Sequence, residues 1–305
     1  MVIRLHHGNL PATSMRCACI DIGSNTTRLL VAEAARGRLL PVLEQRAFTR
    51  IGRQIDARGS ILHATIAEVA EVVAAQHAAA AAAGAEHVRV VATAAIRRAA
   101  NRAVLVAALR DWAGVDVVVL SADDEGRLAF AGATRTLEQP PEGTIAVVDV
   151  GGMSTEIAVG TIAGGVSWLR SYPIGSGQLA LRCRADPPSP ADLEMIGAAA
   201  EGAFAAGGEP PPLDLAVAVG GSAASLPTLV GPVLDGAALD RALAVLVSAK
   251  AAVVARRHGL APERTELLPA GILVLAAAGR RLGMPLRIGR GGIREGVVLE
   301  LAGGG

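Results

Sequence analysis

The stretch VVDVGGMSTEIAVG, residues 147–160, decides how this chain is read. It is an apolar, β-branched run, a glycine turn and a second apolar run, which is the pattern of strand, turn, strand. Asp149 closes the first run. Gly151 and Gly152 form the turn, and Ser154 and Thr155 follow it. Glycine lets backbone amides approach an anion with no side chain in the way. Hydroxyl groups can donate to phosphate oxygens. An aspartate repels phosphate at neutral pH, so Asp149 is better suited to a divalent metal or a water. Met153, in the middle of the turn, is the odd residue, and it is expected to point away from the phosphate path toward the core.

The same pattern occurs earlier. IDIGSNTTRLLVA (residues 20–32) lies over VDVGGMSTEIAVG (residues 148–160) without a gap. Asp21 falls on Asp149, Gly23 on Gly151, Thr26 on Ser154 and Thr27 on Thr155, an offset of 149 − 21 = 128 residues. Either turn alone is an ordinary hairpin. An ungapped pair at this distance implies two halves of one fold, with a ligand in a cleft between them.

Outward from the two hairpins, each half continues with a third strand and alternating helices and strands. In the first half a helix follows from about residue 64, with Ile66, Val69, Ala70 and Val73 at helical spacing and Gly84 as its stop. A further helix is expected over residues 97–114. In the second half Ser189 is an expected N-cap with Asp192 three residues on. Residues 238–259 read as one helix and 267–283 as another. The class is α/β.

The totals exclude several functions. The formal net charge is +1, which demands neither nucleic acid nor membrane as a partner. Aromatics are 2% of residues, too few for base-stacking platforms. The 51% hydrophobic content is rich in alanine, and charged or polar residues break its apolar runs before spanning length. Lys250 is the only lysine and alanine follows it, so there is no Walker P-loop and no sensible Schiff-base lysine. Cys17, Cys19 and Cys183 form no disulfide framework, and Cys17 and Cys19 read as core residues of a strand in a reducing compartment. The six histidines show no metal spacing. No nucleophile–histidine pairing suggests a covalent hydrolase. Residues 1–14 read as a leader.

Six motifs in order resemble the exopolyphosphatase/guanosine pentaphosphate phosphatase family, a branch of the actin-like, sugar-kinase-like and Hsp70-like superfamily. They are IDIGSNTTRLLVA; VVATAAIRRAANR (residues 90–102), similar to a Thr-x-x-x-Arg segment; LSADDEGRLAFAGA (residues 120–133); VVDVGGMSTEIAVG; VAVGGSAASL (residues 217–226), similar to a third glycine turn; and GGIREGVVLE (residues 291–300). The resemblance runs from about Cys19 to about Leu301. It implies two ribonuclease H-like, actin-like ATPase domains related by internal duplication. The expected division is a first domain over residues 15–122 and a second over 123–305, with the last helix free to pack back on the first.

The resemblance also implies roles. Glu125 matches the catalytic glutamate that orients or deprotonates the attacking water. Asp149 and Glu156 would act with it, and Asp21, Asp149 and Glu156 would serve a magnesium ion. Gly23, Ser24, Asn25, Thr26, Arg97, Gly151, Gly152, Ser154, Thr155, Gly220, Gly221 and Ser222 would hold phosphate. The implied reaction is Mg²⁺-dependent release of the terminal phosphate of inorganic polyphosphate by water attack. The alternatives are guanosine pentaphosphate as substrate, a non-catalytic polyphosphate- or alarmone-binding regulator, and an ATP-using enzyme of the same superfamily. A cytoplasmic location is expected, no nucleic-acid or membrane partner is expected, and a homodimer is allowed for.

The sequence departs from the family at several points. Ala122 and Asp124 replace a glycine and a glutamate, Met153 a glycine, Gln178 an arginine and Arg290 an aspartate. Arg280, Arg281, Arg287, Arg290 and Arg294 crowd the C-terminal part, and their plain reading is a solvated face.

Overall fold

The computed structural model describes residues 2–3, 15–35, 38–55, 57–137 and 142–303. Of the expected leader, residues 4–14 and Met1 lie outside the described residues, while Val2 and Ile3 form a short strand. The chain divides into two compact units, Met1–Thr136 with Gly291–Gly305, and Leu137–Arg290.

The first unit contains β1 (Val2–Ile3), β2 (Met15–Ile22), β3 (Thr27–Ala35), β4 (Arg38–Ala47), α1 (His63–Ala82), β5 (His87–Ala92), α2 (Ala94–Arg98), α3 (Arg102–Ala113), β6 (Val117–Val119) and α4 (Ala122–Arg135). Its sheet has the order β1-β4-β3-β2-β5-β6. β2 pairs antiparallel with β3 and parallel with β5. Cys17, Ala18, Cys19 and Ile20 of β2 are all fully buried. A strand covered on both faces is expected to be a continuous apolar run rather than an alternating one. On α1 the expected core face is present, with Ile66, Val69, Ala70 and Val73 buried.

The helix expected over residues 97–114 is two helices, α2 and α3. Asn101 lies at the break. Its side chain accepts from the Ile61 amide at 2.8 Å and donates to the Ile61 carbonyl at 2.9 Å. An asparagine that bonds a distant backbone in this way competes with helix continuation.

The second unit contains β7 (Ile145–Val150), β8 (Thr155–Thr161), β9 (Gly165–Tyr172), α5 (Ser176–Ala180), α6 (Pro190–Ala205), β10 (Leu215–Val219), α7 (Gly220–Ala223), α8 (Pro227–Val230), β11 (Val233–Leu234), α9 (Gly236–Leu246), α10 (Ala251–His258), α11 (Pro262–Thr265), α12 (Leu268–Leu282) and β12 (Leu286–Ile288). Its sheet has the order β11-β12-β10-β7-β8-β9. α6 starts with the expected Ser189 cap, completed as a capping box by Asp192. The helix expected over residues 238–259 is also two, α9 and α10. The Asp186 carboxylate accepts from the Ala251 amide at 2.8 Å and so caps the start of α10.

The two units repeat one path. In each, three antiparallel strands run outward from the centre, β2-β3-β4 and β7-β8-β9, and two parallel strands follow on the other side, β5-β6 and β10-β12. The extra edge strand differs: β1 joins β4 in the first unit, and β11 joins β12 in the second.

α13 (Ile293–Gly303) belongs to the first unit, where Val297 and Val298 are buried in one cluster with Cys17, Cys19, Leu30 and Leu128. It lies against α4 with backbones in contact. A Cβ on Gly132 would overlap the Gly292 carbonyl, and one on Gly296 would overlap the Leu128 carbonyl. This packing puts α4 in the first unit. The division therefore falls after Thr136 rather than at the expected 122/123, because Leu128, Ala129 and Ala133 bury the face of α4 there.

Candidate active site

In the first unit the hairpin of β2 and β3 is closed by the Gly23 amide, which donates to the Thr26 carbonyl at 3.0 Å. Ser24 and Asn25 form its tip. The tip is held from outside by two further amides: Arg50 donates to the Asn25 carbonyl at 3.1 Å and Gly52 to the Ser24 carbonyl at 2.7 Å. Below it, the buried Thr27 and Thr49 hydroxyls are 3.1 Å apart, and Gln76 of α1 donates to the Thr27 carbonyl at 3.1 Å.

Asp21 stands opposite Arg28 in the β2–β3 register. Its Oδ1 is buried with no hydrogen-bond partner. Burial raises its pKa to about 6, against the pull of Arg294 and Arg28. Arg28 is lowered to about 10, first by Arg294 and then by burial. Arg294 is itself buried, 3.6 Å from Glu295 and 3.8 Å from Glu44, and donates to the Leu29 carbonyl. The solvated-face reading of the C-terminal arginines fails for Arg294. Arg280 and Arg281 pair with Glu201 and Glu209.

Glu125 occupies the first turn of α4 and is 3% exposed. Arg97 of α2 donates to its Oε1 and also to the Leu120 carbonyl at 2.8 Å. Arg97, expected on phosphate, thus holds the expected catalytic carboxylate. Beside it, Asp124 completes the cap of α4, accepting from the Ser121 amide at 3.1 Å and hydroxyl at 2.6 Å. The replacement of a family glutamate by Asp124 therefore has a structural use at the helix start.

The second unit repeats the hairpin in atomic detail. The Gly151 amide donates to the Ser154 carbonyl at 3.0 Å, as Gly23 does to Thr26. The Gln178 amide donates to the Gly152 carbonyl at 2.8 Å, and the Ser176 amide to the Gly151 carbonyl at 2.9 Å. The Thr155 hydroxyl, equivalent to that of Thr27, donates to the Ile174 carbonyl at 2.9 Å. Gly175 lies flat on the Gly152–Met153 peptide, where a Cβ would overlap backbone atoms. Gln178 acts on the loop through its backbone, so its substitution for an arginine leaves this brace intact. Met153 is half-buried at the tip.

Asp149 stands directly opposite Glu156. Glu156 is 3% exposed and accepts from the Ser171 hydroxyl at 2.7 Å. The third glycine turn meets Asp149: Gly220, at φ +85°, would carry a Cβ 2.5 Å from Asp149 Oδ1. Gly221 lies under the guanidinium of Arg264, which is 9% exposed. Ser222 is fully buried against Gly271, and its hydroxyl has no hydrogen-bond partner.

These placements sort the expected phosphate residues. The tips, Ser24 and Asn25 in one unit and Gly152 in the other, are partly exposed, as are Gly23 and Gly151. Thr26, Ser154, Thr155 and Ser222 are buried. The Thr155 hydroxyl braces its loop and the Ser222 side chain packs on α12, so direct phosphate contact is not what these two side chains serve. The sequence reading missed Arg264, Ser171 and the bracing segment at residues 49–52, and in residues 174–178 it marked Gln178 only as a departure from the family, without its brace. No local spacing marks them, because each acts on a loop distant in sequence.

The implied magnesium has a testable donor set. In the second unit Asp149 and Glu156 face one another on adjacent strands; in the first unit, taken by itself, Asp21 offers a buried oxygen with no hydrogen-bond partner. Among the described residues no group of three or more His, Cys, Asp or Glu side chains is gathered. Mg²⁺ is commonly bound through one or two carboxylates, with phosphate oxygens and waters completing its shell. The residues fit an ion of that kind rather than a caged one.

Comparison with known proteins agrees with this architecture. Residues 30–303 match the Ppx/GppA phosphatase family. Exopolyphosphatase 1 of Mycobacterium bovis is 30% identical over 314 residues, covering 94% of this chain and 88% of that protein. The crystal structure of the Aquifex aeolicus Ppx/GppA family member superposes with a TM-score of 0.79 at 27% identity, covering 94% of this chain and 97% of that one. An exopolyphosphatase from Cytophaga hutchinsonii shares the fold, with a TM-score of 0.82 at 18% identity over 95% of this chain and 98% of that one. With two duplicated α/β units of actin-like architecture and a family match across nearly its whole length, the chain belongs to the Ppx/GppA phosphatase family.

Proposed function

We propose that this protein is a magnesium-dependent exopolyphosphatase that removes the terminal phosphate of inorganic polyphosphate, with guanosine pentaphosphate as the alternative substrate. The observation that carries the reading is the buried Glu125 held by Arg97 at the start of α4. A carboxylate aimed by an arginine is equipped to accept a proton from water. In the reaction the water oxygen bonds to the terminal phosphorus, the bridging P–O bond breaks, and orthophosphate leaves a chain one unit shorter. Glu125 orients the water and takes its proton.

The Gly23 and Gly151 amides close their hairpins, which leaves the amides of Ser24 and Asn25, and of Gly152, to bind phosphate oxygens. Asp149 and Glu156 of the second unit would hold the magnesium, which would supply charge neutralisation to the phosphate chain when bound. The three cysteines, none in a disulfide, accord with a cytoplasmic location. Among the described residues no helix is long and apolar enough to cross a membrane.

Incubating the purified protein with Mg²⁺ and polyphosphate, guanosine pentaphosphate or ATP, and following phosphate release, tests the reading. Release from polyphosphate is expected. Release from ATP alone would replace the reading with an ATPase. Saturable polyphosphate binding with no release from any substrate would make the protein a regulatory binder.

A further inference from the structure

Two strand pairings set three side chains of the second unit in a row. Asp149 of β7 stands opposite Glu156 of β8, and Glu156 stands opposite Ser171 of β9. Directly opposed residues of neighbouring antiparallel strands share a face of the sheet, so the row lies on one face. The first unit carries the same row with other chemistry: Asp21 of β2, Arg28 of β3 and Arg46 of β4. The strand-end acid is kept. The middle and outer places change from two guanidinium groups to a carboxylate and a hydroxyl.

The outer place decides what the middle carboxylate can do. An arginine there would pair with it and offset its charge. A serine hydroxyl has one proton to give and no charge. Ser171 gives that proton to Glu156 Oε1 at 2.7 Å, a full O–H···O hydrogen bond. Glu156 is 3% exposed, so bulk water contributes little to its orientation. On the other side of the row, a Cβ on Gly220 would stand 2.5 Å from Asp149 Oδ1. Both acids are thus held from outside the pair, Asp149 by packing and Glu156 by Ser171.

We propose that Ser171 is a positioning residue for the phosphatase reaction, one that fixes the Glu156 carboxylate in the row with Asp149 and brings no charge of its own. The inference rests on the reading of Asp149 and Glu156 as the pair that holds magnesium. A hydroxyl suits that task better than the cation of the first unit, because it orients a ligand without competing with the ion for its charge. Groups that hold a metal ligand from behind are typically worth about 10–100-fold in metal affinity or activity.

The test compares Ser171→Ala, which removes the hydroxyl, with Ser171→Thr, which keeps it on a residue suited to a strand. Melting temperature is followed as Mg²⁺ is added without substrate. Steady-state hydrolysis of polyphosphate is measured over the same Mg²⁺ range. Ser171→Ala should melt close to the parent without Mg²⁺. It should need about tenfold more Mg²⁺ for half of the thermal shift and for half-maximal rate. Its kcat should fall by a similar factor, with KM for polyphosphate little changed. Ser171→Thr should recover most of both losses.

An unchanged Mg²⁺ requirement and kcat in Ser171→Ala overturn the inference and leave the proposed function standing. A lower melting temperature without Mg²⁺, combined with an unchanged Mg²⁺ requirement, also overturns it by making the hydroxyl a structural group. Equal impairment of the alanine and threonine variants overturns it too, since the hydroxyl would then not be the cause. If the parent shows neither a thermal shift with Mg²⁺ nor Mg²⁺-dependent hydrolysis, the magnesium reading fails first, and the inference with it.

Discussion

Asp149 and Glu156 face each other across β7 and β8 at the two positions that Asp21 and Arg28 occupy across β2 and β3. The duplication keeps the first acid and changes its partner from a cation to a second carboxylate. Like charges directly opposite on a sheet are destabilising by about 0.2–1 kcal/mol. That arrangement suits a divalent ion or a water better than it suits the sheet. We expect Glu156→Gln to melt at the same or a higher temperature without magnesium and to lose most phosphatase activity. The parent should gain more melting temperature from added Mg²⁺ than the variant does. A variant that keeps full activity would remove Glu156 from the site.

The Arg97–Glu125 pair can be separated by a double-mutant cycle. Arg97→Met leaves a buried carboxylate without its cation, and losses of about 3–5 kcal/mol are typical of that change. Adding Glu125→Gln should restore much of the stability in urea unfolding while leaving activity low. Glu125→Gln alone should lower kcat about 10²–10⁴-fold with little effect on KM. If KM rises and kcat holds, Glu125 is a binding group instead.

Two glycines should respond differently to alanine. A Cβ at residue 175 would overlap the Gly152–Met153 backbone, which cannot move without moving the loop. Gly175→Ala is expected to cost about 1–3 kcal/mol and to lower kcat. A Cβ at residue 221 meets the Arg264 guanidinium, the far end of a flexible side chain. Gly221→Ala should therefore fold nearly as well as the parent and report, through activity, whether Arg264 must sit on that turn. Melting curves and kinetics of both variants together make the comparison.

The cap of α6 gives a pH dependence with a definite sign. Asp192 accepts from the Ser189 hydroxyl at 2.6 Å and amide at 2.9 Å, and these bonds, the hydroxyl's foremost, lower its pKa below 3.8. A depressed carboxyl stabilises the fold above its unfolded pKa and stops doing so as pH falls through the folded one. Melting temperature should fall with acid below pH 3.8 more steeply in the parent than in Asp192→Asn, whose side chain does not titrate. Parallel acid profiles would assign the acid sensitivity elsewhere.

The sequence carried much of this protein in plain view. The 128-residue offset between Asp21 and Asp149 gave the duplication, because each hairpin is a local object: strand patterning and a glycine turn are written in consecutive residues. The α1 core face and the Ser189–Asp192 cap were legible for the same reason. Helix breaks were not. The side chains of Asn101 and Asp186 interrupt or cap helices through bonds to Ile61 and Ala251, partners far off in the chain.

The candidate site divides along the same line. Sequence alone determined which residues form the two loops and which acids stand at their strand ends. Tertiary structure decided what those residues do there. It turned Arg97 onto Glu125, committed the Thr155 hydroxyl to Ile174, laid Arg264 over Gly221 and held Arg50 left-handed beside Asn25. The physical reason is range. Hydrophobic period and turn chemistry act over a few residues, whereas a buried charge or hydroxyl must find its partner wherever packing brings one.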